Sequence, residues 1–249
     1  MGRVLITGGS SGLGKALVDL CVERGLAPVC VLDIDPAPDA GDGKLDWVFH
    51  DMADQEAAPW AALSETLQKK GPFDLVILNA GINATGRFEG IPLATHLSVA
   101  RVNLLGPLRL VHMLLHAGLL APGGRLVLIS SLSVFTGYPG AASYAASKDG
   151  LASLARALRK PLRKSGNISV QLVCPGPMDT PHAARHAPEG ARADRRIDPA
   201  RVARQILELP HGRFVLLPGP GAKLAAVAGA LFPQIMMRIM GKVLFARLK

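Results

Sequence analysis

Short apolar runs rich in β-branched residues alternate along this chain with longer stretches whose apolar residues recur at helical spacing. The predicted strands are 4–7, 28–33, 45–50, 73–79, 124–131, 168–174 and 213–217. The predicted helices between them are 12–24, 55–69, 93–119, 143–164 and 199–209. Such alternation is typical of an α/β fold, in which helices cover both faces of a doubly wound parallel sheet. Continuous apolar runs such as 75–78 fit strands buried on both faces.

Composition and length limit what the chain can be. Its 249 residues, 49% apolar and 19% charged, suffice for one domain with a large core and exclude a disordered chain. We find no pattern of a secretion signal and no run of about 18 apolar residues, so the expected location is the cytoplasm. Cys21, Cys30 and Cys174 match no metal-binding spacing and are predicted to be reduced core residues.

The chain is strongly basic. It carries 28 Lys and Arg residues against 19 Asp and Glu residues, a formal net charge of +9. Such an excess is compatible with nucleic acid, an anionic membrane surface or an anionic substrate. No helix-turn-helix or zinc-finger pattern is present, and aromatic residues make up only 4% of the chain. We therefore predict no nucleic-acid partner.

The first predicted strand runs directly into a glycine-rich turn, Thr-Gly-Gly-Ser-Ser-Gly-Leu-Gly at 7–14, that opens the first helix. Glycine suits a backbone that turns sharply and approaches a pyrophosphate closely. The start of the helix offers N–H groups and partial positive charge to the phosphates. Such a turn is a weak signal alone and a stronger one between a strand and a helix. The turn residues predicted to bind a dinucleotide are Gly8, Ser10, Ser11, Gly12, Leu13 and Gly14.

An acid at the end of the second predicted strand bears on which dinucleotide is bound. Asp33 follows the glycines by about 20 residues, where a carboxylate accepts hydrogen bonds from the adenosine ribose. This charge, with Asp35 beside it, repels a 2′-phosphate, so the sequence favours NAD over NADP. The alternative is a solvated acid at a strand end. Asp51 and Met52, after the third strand, are weaker candidates for cofactor contact, and Asp51 is equally explained as a cap of the next helix.

Tyr144 and Lys148 are four residues apart on a predicted helix, which places both side chains on one face. A free phenol has a pKa of about 10, too high for a base near neutrality. A nearby ammonium lowers that pKa, and a shift of about 3 units needs about 4 kcal/mol of differential stabilisation. Lys148 and a positively charged nicotinamide ring would together supply it. By itself the pair is more typical of an amphipathic surface, but Ser131 ends the fifth strand, at the edge where such sheets bind ligands.

Taken together, these residues resemble the single-domain branch of the short-chain dehydrogenase/reductase superfamily over roughly residues 3–217. The matching motifs occur in the family's order and are jointly specific. They are Thr7-Gly8-x-x-x-Gly12-x-Gly14, Asn79-Ala80-Gly81, Asn103 in Val-Asn-Leu-Leu-Gly, Ser131, Tyr144-x-x-x-Lys148 and Pro175-Gly176-Pro177-Met178-Asp179-Thr180. Residue 78 is Leu where many members have a second Asn, which is a common variant.

The resemblance implies a Rossmann-type sheet of seven parallel strands and a role for each motif. Tyr144 would be the general acid/base, and Ser131 would polarise the substrate carbonyl. Lys148 would lower the pKa of Tyr144 and bind the nicotinamide ribose, and Asn103 would hold a water that relays protons to Lys148. The implied cofactor contacts later in the chain are Asn79, Ala80, Gly81, Tyr144, Lys148, Pro175, Gly176, Met178 and Thr180.

The C-terminal region departs from the family. Many members end soon after the last strand, whereas an apolar and basic tail follows it here at 221–249. On a helix from 234 onward, one face carries Gln234, Arg238, Lys242 and Lys249, and apolar residues fill much of the rest. Three interpretations stay open. The tail covers the active-site mouth and favours a lipid-like substrate, it docks on an anionic membrane, or it packs in a subunit interface.

The polar segment 180–198 is the predicted lid over the site. His182 and His186 within it have a spacing that suits metal ions, with Asp179 and Glu189 nearby. The hydride chemistry implied by the resemblance needs no metal, so we predict none.

The sequence therefore predicts a catalytic nicotinamide-binding domain at 1–220, followed by a tail that belongs to the same domain or to an interface. The predicted activity is hydride transfer between NAD(H) and a hydrophobic secondary alcohol or ketone. The alternative is an NAD-binding regulatory protein, or a membrane-associated protein, on the same fold. The resemblance implies a homodimer or homotetramer. Peripheral membrane contact through 224–249 is an option for an otherwise cytoplasmic protein.

Overall fold

A parallel seven-stranded sheet is the centre of the structure, a computed structural model that describes residues 2–26, 28–37, 43–185, 196–219 and 221–243. The strands are β1 (Val4–Thr7), β2 (Val29–Asp33), β3 (Leu45–Phe49), β4 (Phe73–Leu78), β5 (Leu120–Ile129), β6 (Ser169–Val173) and β7 (Val215–Leu216). Their order is β3-β2-β1-β4-β5-β6-β7, and each pairs in parallel with its neighbours. The predicted doubly wound α/β fold is confirmed.

Helices follow the strands and cover both faces of the sheet. They are α1 (Gly12–Glu23), α2 (Ala57–Lys70), α3 (Leu93–Ala100), α4 (Gly106–His116), α5 (Ser133–Thr136), α6 (Ala142–Gly166), α7 (Pro181–Arg185), α8 (Pro199–Leu207), α9 (Ala222–Leu231) and α10 (Pro233–Val243). Side chains of β1 alternate between two cores because successive residues of a strand point to opposite faces. Leu5 packs in the core shared with α2, α4 and α6, whereas Val4 and Ile6 pack in the core shared with α1 and α8. Cys21, Cys30 and Cys174 are reduced and buried, as predicted.

Most predicted elements differ from the structure by a residue or two at their ends, and two differ in ways that affect the site. The fifth strand begins at Leu120 instead of residue 124, because Leu120 pairs with Phe73 ahead of a register shift in β4, and it ends at Ile129, so Ser131 lies beyond it. The structure divides the single helix predicted at 93–119 into three consecutive parts, which are α3, a π-helical turn at Arg101–Leu105, and α4. Apolar periodicity does not reveal this π turn, since it is only five residues long and the pattern is read over windows of about 11–18 residues.

The tail folds back onto the body of the protein. Helix α9 packs on α5, and α10 packs on both α5 and α9. A side chain at Gly229 would run into the Phe135 carbonyl oxygen, and one at Gly137 would run into the Met237 sulfur. None of the helices in the described part of the chain is long and apolar enough to cross a bilayer.

Replacing Gly229 with Ala tests how the tail packs. The added Cβ would meet the backbone of Phe135, so we expect the free energy of unfolding to fall by about 1–3 kcal/mol. Gly241→Ala is the matched control, since a Cβ there meets nothing within 4 Å and alanine favours a helix over glycine by up to about 1 kcal/mol. Urea unfolding of both variants measures the difference. Equal stability of the Gly229→Ala variant and the wild type would contradict the contact of α9 with α5.

Candidate active site

The predicted motifs converge at the carboxyl ends of three adjacent strands. The glycine-rich turn follows β1, residues 79–81 follow β4, and Ser131 comes soon after β5. The chain crosses from β3 back to β4 on the other side of β1, so the strand order reverses at β1. Open α/β sheets bind their ligands at such a reversal, outside the carboxyl ends of the strands.

The glycine-rich turn is packed against two other predicted cofactor segments. Gly8 and Gly12 have positive φ values of 71° and 54°, a conformation that favours glycine. A Cβ at Gly8 would lie 2.8 Å from the Ala80 Cα, and one at Gly12 would lie 3.1 Å from the Thr180 Cγ2. The turn at 8–14, the segment after β4 and the segment after β6 therefore form one surface.

Asn79 and Thr7 tie this surface together. The Asn79 Nδ2 donates to the carbonyl oxygens of Thr7 and Gly8 at 3.1 and 2.9 Å. The Thr7 hydroxyl oxygen accepts from the backbone nitrogens of Asn79 and Ala80 at 3.0 and 2.9 Å. Thr7 is fully buried and was not predicted as a site residue. Its place at the start of the glycine-rich motif was the sequence signal that could have identified it.

The start of α1 fits an anionic group. Ser11 precedes the helix without capping it through its side chain, and the first turn holds no acid. The backbone N–H groups of that turn, with the partial positive charge of a 12-residue helix, therefore face the carboxyl edge of the sheet. A pyrophosphate matches both features.

Asp33 is a buried acid with specific partners. Its carboxylate accepts from the Ser10 nitrogen at 2.8 Å through Oδ2 and from the Asp35 nitrogen at 3.0 Å through Oδ1. Only 6% of Asp33 is exposed, so the alternative of a solvated strand-end acid is wrong. The exposed Asp35 accepts from the Ser10 hydroxyl at 2.7 Å. Each Asp33 oxygen keeps a lone pair for a further donor.

Asp51 and Met52 lie beyond β3. The Asp51 carboxylate accepts from the Ala53 nitrogen at 2.8 Å, whereas α2 begins only at Ala57 and has no side-chain cap. The alternative of Asp51 as a helix cap is therefore wrong. The Met52 side chain is 4% exposed and belongs to the core, so only its backbone is left to face a cofactor.

Tyr144, Lys148 and Ser131 come together beside the carboxyl end of β5. The Ser131 hydroxyl lies close enough to the Tyr144 hydroxyl to lower the pKa of that phenol. The Lys148 Nζ lies 5.7 Å from the centre of the Tyr144 ring and donates to the Ile129 carbonyl at 2.9 Å. The Ser130 hydroxyl donates to the Lys148 carbonyl at 2.8 Å and holds α6 against the end of the strand. The three side chains predicted for catalysis thus share one site.

Asn103 lies in the π-helical turn and is fully buried. Its Oδ1 accepts from the Ile82 nitrogen and its Nδ2 donates to the Ile82 carbonyl, both at 2.8 Å. The Nδ2 also donates to the Ser147 hydroxyl at 3.0 Å, and Ser147 donates to the Tyr144 carbonyl at 2.7 Å. A Cβ at Gly81 would lie 3.2 Å from both the Asn103 Oδ1 and the Lys148 Nζ. Asn103 thus connects the segment after β4 to α6, and the relay water stays a prediction.

Burial dominates the ionisation of both residues on α6. Burial raises the pKa of Tyr144, and the nearby Ser131 hydroxyl opposes that rise. Burial also lowers the pKa of Lys148 from 10.5 to about 8. In the protein by itself, desolvation of the phenolate therefore dominates the pKa of Tyr144. The lowered pKa was predicted for Lys148 together with a bound nicotinamide, and it stays a prediction.

The segment after β6 closes the site from another side. Pro175 is buried, and its carbonyl accepts from the Leu132 nitrogen at 2.9 Å. The two ends of the predicted lid lie side by side, since Met178 pairs with Ile197 and Asp198 caps α8. The middle of the lid at 186–195 lies outside the described residues, as do His186 and Glu189. Asp179 lies 3.8 Å from Arg196, and the residues that the structure describes contain no metal-binding group of His, Cys, Asp and Glu.

Tyr138 and Asn83 extend the site beyond the predicted residues. The Asn83 side chain lies close enough to the Tyr138 hydroxyl to lower the pKa of that phenol, against the rise that burial causes. The Tyr138 ring is perpendicular to that of Tyr144, with 6.1 Å between their centres. No spacing rule connects residues 83 and 138, so the sequence offered no signal for this pair.

This fold and this site define a dinucleotide-dependent oxidoreductase. A parallel sheet places a helix start that suits a pyrophosphate beside a buried acid, next to a serine, a tyrosine and a lysine. In an enzyme of this class the cofactor carries the hydride chemistry, and the protein supplies binding, orientation and electrostatics.

Comparison with known proteins identifies the family. The family model described as short chain dehydrogenase matches residues 3–190, so the chain belongs to the short-chain dehydrogenases/reductases. The chain is 31% identical over 218 residues to the 3-oxoacyl-[acyl-carrier-protein] reductase FabG of Thermotoga maritima, covering 84% of this chain and 83% of that protein. It is 35% identical over 186 residues to the ketoacyl reductase HetN of a Nostoc species, covering 70% of this chain but 62% of HetN.

A solved structure agrees with this membership. An actinorhodin polyketide ketoreductase variant with NADPH matches with a TM-score of 0.75 and 26% identity, covering 89% of this chain and 97% of that chain. The protein is therefore an NAD(P)-dependent oxidoreductase that acts on CH–OH groups.

Replacing Lys148 with Met tests the burial of the ammonium. An unfolded lysine with a pKa of 10.5 holds its proton longer than native Lys148 with a pKa of about 8, so wild-type stability rises as the pH increases from 8 towards 10. We expect the free energy of unfolding of the wild type, relative to Lys148→Met, to increase by about 2 kcal/mol between pH 7 and pH 9.5. Urea unfolding at both pH values measures it. The hydrogen bond to Ile129 that the variant lacks contributes equally at both pH values, and the other titrating groups contribute equally to both proteins, so neither affects this comparison. A stability difference between the two proteins that does not change with pH would contradict a buried charge at Lys148.

Proposed function

We propose that this protein transfers a hydride between NAD(H) and a hydrophobic secondary alcohol or ketone. The observation that carries the proposal is the arrangement of Ser131, Tyr144 and Lys148, with the serine hydroxyl near the phenol and a buried lysine beside the phenol ring. A protein that only senses the cofactor has no need of a proton donor at this place. The arrangement thus favours an enzyme over a regulatory protein on the same fold.

Each of these side chains has a task in the proposed reaction. In oxidation the Tyr144 oxygen takes the proton of the substrate hydroxyl, and in reduction it returns a proton to the alkoxide oxygen. The Ser131 hydroxyl donates to the substrate oxygen and stabilises the negative charge that develops on it. Lys148 binds the nicotinamide ribose, and Asn103 holds a water that passes protons between Lys148 and solvent.

A bound cofactor would supply two things that the protein alone lacks, a hydride carrier and a positive charge near Tyr144. When bound, the nicotinamide accepts or supplies the hydride, and its positive charge in the oxidised form favours the phenolate. Residues 8–14, the Asn79–Gly81 segment and the Pro175–Thr180 segment would hold it, with further contacts from Asp33 and the backbone at 51–52. Because burial raises the pKa of Tyr144 in the protein alone, its proton becomes easier to remove only once that charge is present.

Apolar groups beside the catalytic residues support a hydrophobic substrate. Leu132 follows Ser131 directly, and the Met237 sulfur contacts Gly137, next to Tyr138. The names of the relatives point the same way, since ketoacyl reductases act on ketones carried in acyl chains. An apolar surface of this kind binds aliphatic and ring carbons better than polyols.

Replacing Tyr144 with Phe tests the catalytic assignment. We expect kcat for the best alcohol to fall by about 100-fold to 10,000-fold, the usual contribution of acid/base catalysis, while NAD binding persists. The reaction is followed by the absorbance of the reduced nicotinamide, with alcohols from small polar diols to long-chain and cyclic compounds and with 3-ketoacyl thioesters in reverse. Binding of NAD is measured separately by calorimetry.

Tyr138→Phe is the matched control, because it removes the same hydroxyl from the neighbouring ring. It should keep at least about a tenth of the wild-type kcat, since proton transfer depends on the group that touches the substrate oxygen. Equal losses in both variants would contradict the role of Tyr144. Small diols turning over faster than long-chain or cyclic alcohols would contradict the hydrophobic substrate, and NAD binding without any turnover would favour a regulatory protein.

Asp33 supports NAD as the preferred cofactor. A buried carboxylate at the end of β2 accepts the ribose hydroxyls of NAD and repels the 2′-phosphate of NADP. NADP is also compatible with this fold, since the actinorhodin ketoreductase structure contains NADPH. The preference therefore depends on this acid and on its exposed neighbour Asp35.

Replacing Asp33 with Ser tests that preference. A hydrogen bond to a charged acceptor is worth about 1.5–3 kcal/mol, so we expect the ratio of kcat/KM for NAD to that for NADP to fall by about 10-fold to 100-fold. The ratio is the measured quantity because loss of the bond to Ser10 affects both cofactors alike. Asp35→Ser removes a neighbouring charge without the ribose acceptor and should change the ratio less. A wild type that prefers NADP would overturn the assignment.

A further inference from the structure

Helices α9 and α10 leave an apolar surface that nothing in the described structure covers. On α9, Leu224, Val227 and Leu231 follow one another at helical spacing and are 76%, 56% and 66% exposed. Phe232 continues this surface, and Ile235 and Ile239 extend it along α10 with 54% and 49% exposure. We name these six residues the tail surface. Side chains of this size are seldom left in water together unless they meet a partner.

The charged residues of α9 and α10 all have one sign. Lys223, Arg238 and Lys242 are exposed on the same two helices, and Gln234 shares the polar face of α10 with the last two. After Glu208 the chain contains six Lys and Arg residues and no Asp or Glu. Apolar residues bordered only by cations match a surface that has an apolar interior and an anionic rim.

An anionic lipid bilayer has that chemistry. The apolar face of an amphipathic helix sinks to the boundary between headgroups and acyl chains, while its lysines and arginines stay at the phosphates. A second copy of this chain fits less well, because a symmetric contact between two tail surfaces would oppose cations to cations. The inner sides of α9 and α10 are already occupied by α5, so the outer sides are free to meet a bilayer.

We infer that the tail surface docks this enzyme onto anionic membranes, with α9 and α10 lying flat in the headgroup region. Binding depends on two contributions that variants can separate, the apolar side chains and the cations. The inference concerns where the protein binds and holds whether or not the proposed substrate is correct. Docking also places the side of the protein that carries α5, and hence Ser131 and Tyr138 at its two ends, towards the bilayer.

The test is cosedimentation of the full chain with vesicles. One set contains phosphatidylcholine alone, and the other contains about one third phosphatidylglycerol, at low salt and at about 0.3 M salt. The charge variant is Lys223→Glu with Arg238→Glu and Lys242→Glu, and the apolar variant is Leu231→Gln with Ile235→Gln and Ile239→Gln. All six side chains are exposed, so both variants should fold, and thermal unfolding confirms that they do.

The matched control carries the same three charge reversals elsewhere. Lys160, Arg163 and Lys164 are exposed near the end of α6, about 24 Å or more along that helix from Tyr144. Changing all three to Glu alters the net charge as much as the charge variant does. This control separates docking through the tail from general attraction of a basic protein to anionic lipid.

We expect the wild type and the α6 control to bind the anionic vesicles, with weaker binding at higher salt. Each of the two tail variants should bind at least about tenfold more weakly, since each cation near an anionic surface contributes a severalfold gain. A wild type that does not bind, or an α6 control that loses binding as much as the charge variant, would overturn the inference. A second copy of this chain is the other candidate partner, and light scattering tests for it. An oligomer that only the apolar variant dissociates would assign the tail surface to that second copy and overturn the inference.

Discussion

The shape of the carboxyl edge of the sheet depends on one close contact, between the start of α1 and the ends of β1 and β4. Residue 14 lies so close to the Gly8 carbonyl oxygen and the Asn79 amide that no side chain fits there. The direction of α1 is therefore fixed at its first turn, with its N–H groups facing the edge. Asp33 from β2 then holds the turn through the Ser10 nitrogen, and Thr180, from the segment after β6, covers Gly12. A cofactor meets a surface that is already formed, so little ordering is needed on binding.

The catalytic side of the site keeps two ionisable groups in a state that costs stability. Lys148 is 4% exposed, and one hydrogen bond to the Ile129 carbonyl replaces only part of its lost hydration. The same environment that lowers the pKa of Lys148 raises that of Tyr144, so the protein alone disfavours both the ammonium and the phenolate. Shifts of this kind are typical of functional sites, where groups are held for a ligand that is not yet present. In the proposed reaction, the positive charge of the oxidised cofactor would favour the Tyr144 phenolate.

The sequence predicted the features that local patterns determine. The strand β1 has its predicted bounds, the parallel sheet follows from the alternation of strands and helices, and Tyr144 and Lys148 share a face because a helix has 3.6 residues per turn. What it missed depends on contacts between distant residues or on small changes in helix geometry. The pairing of Tyr138 with Asn83 joins residues 55 positions apart, and Asn103 reaches Ile82 from a π turn that periodicity does not show. Gly229 resembled any helical glycine until its contact with Phe135 was visible.

The short helix α5 links the tail to the site. It begins two residues after Ser131, and one residue separates its end from Tyr138, so both ends lie near Tyr144. Its other sides contact α6, α9 and α10. Gly137, which ends α5, has a φ of 69° and lies directly under the Met237 sulfur. A shift of α10 would therefore move the backbone next to Tyr138, because a close-packed contact transmits displacement instead of absorbing it. A partner bound to the outer face of the tail would therefore contact helices that pack on α5, the element that lies between Ser131 and Tyr138 in the proposed site.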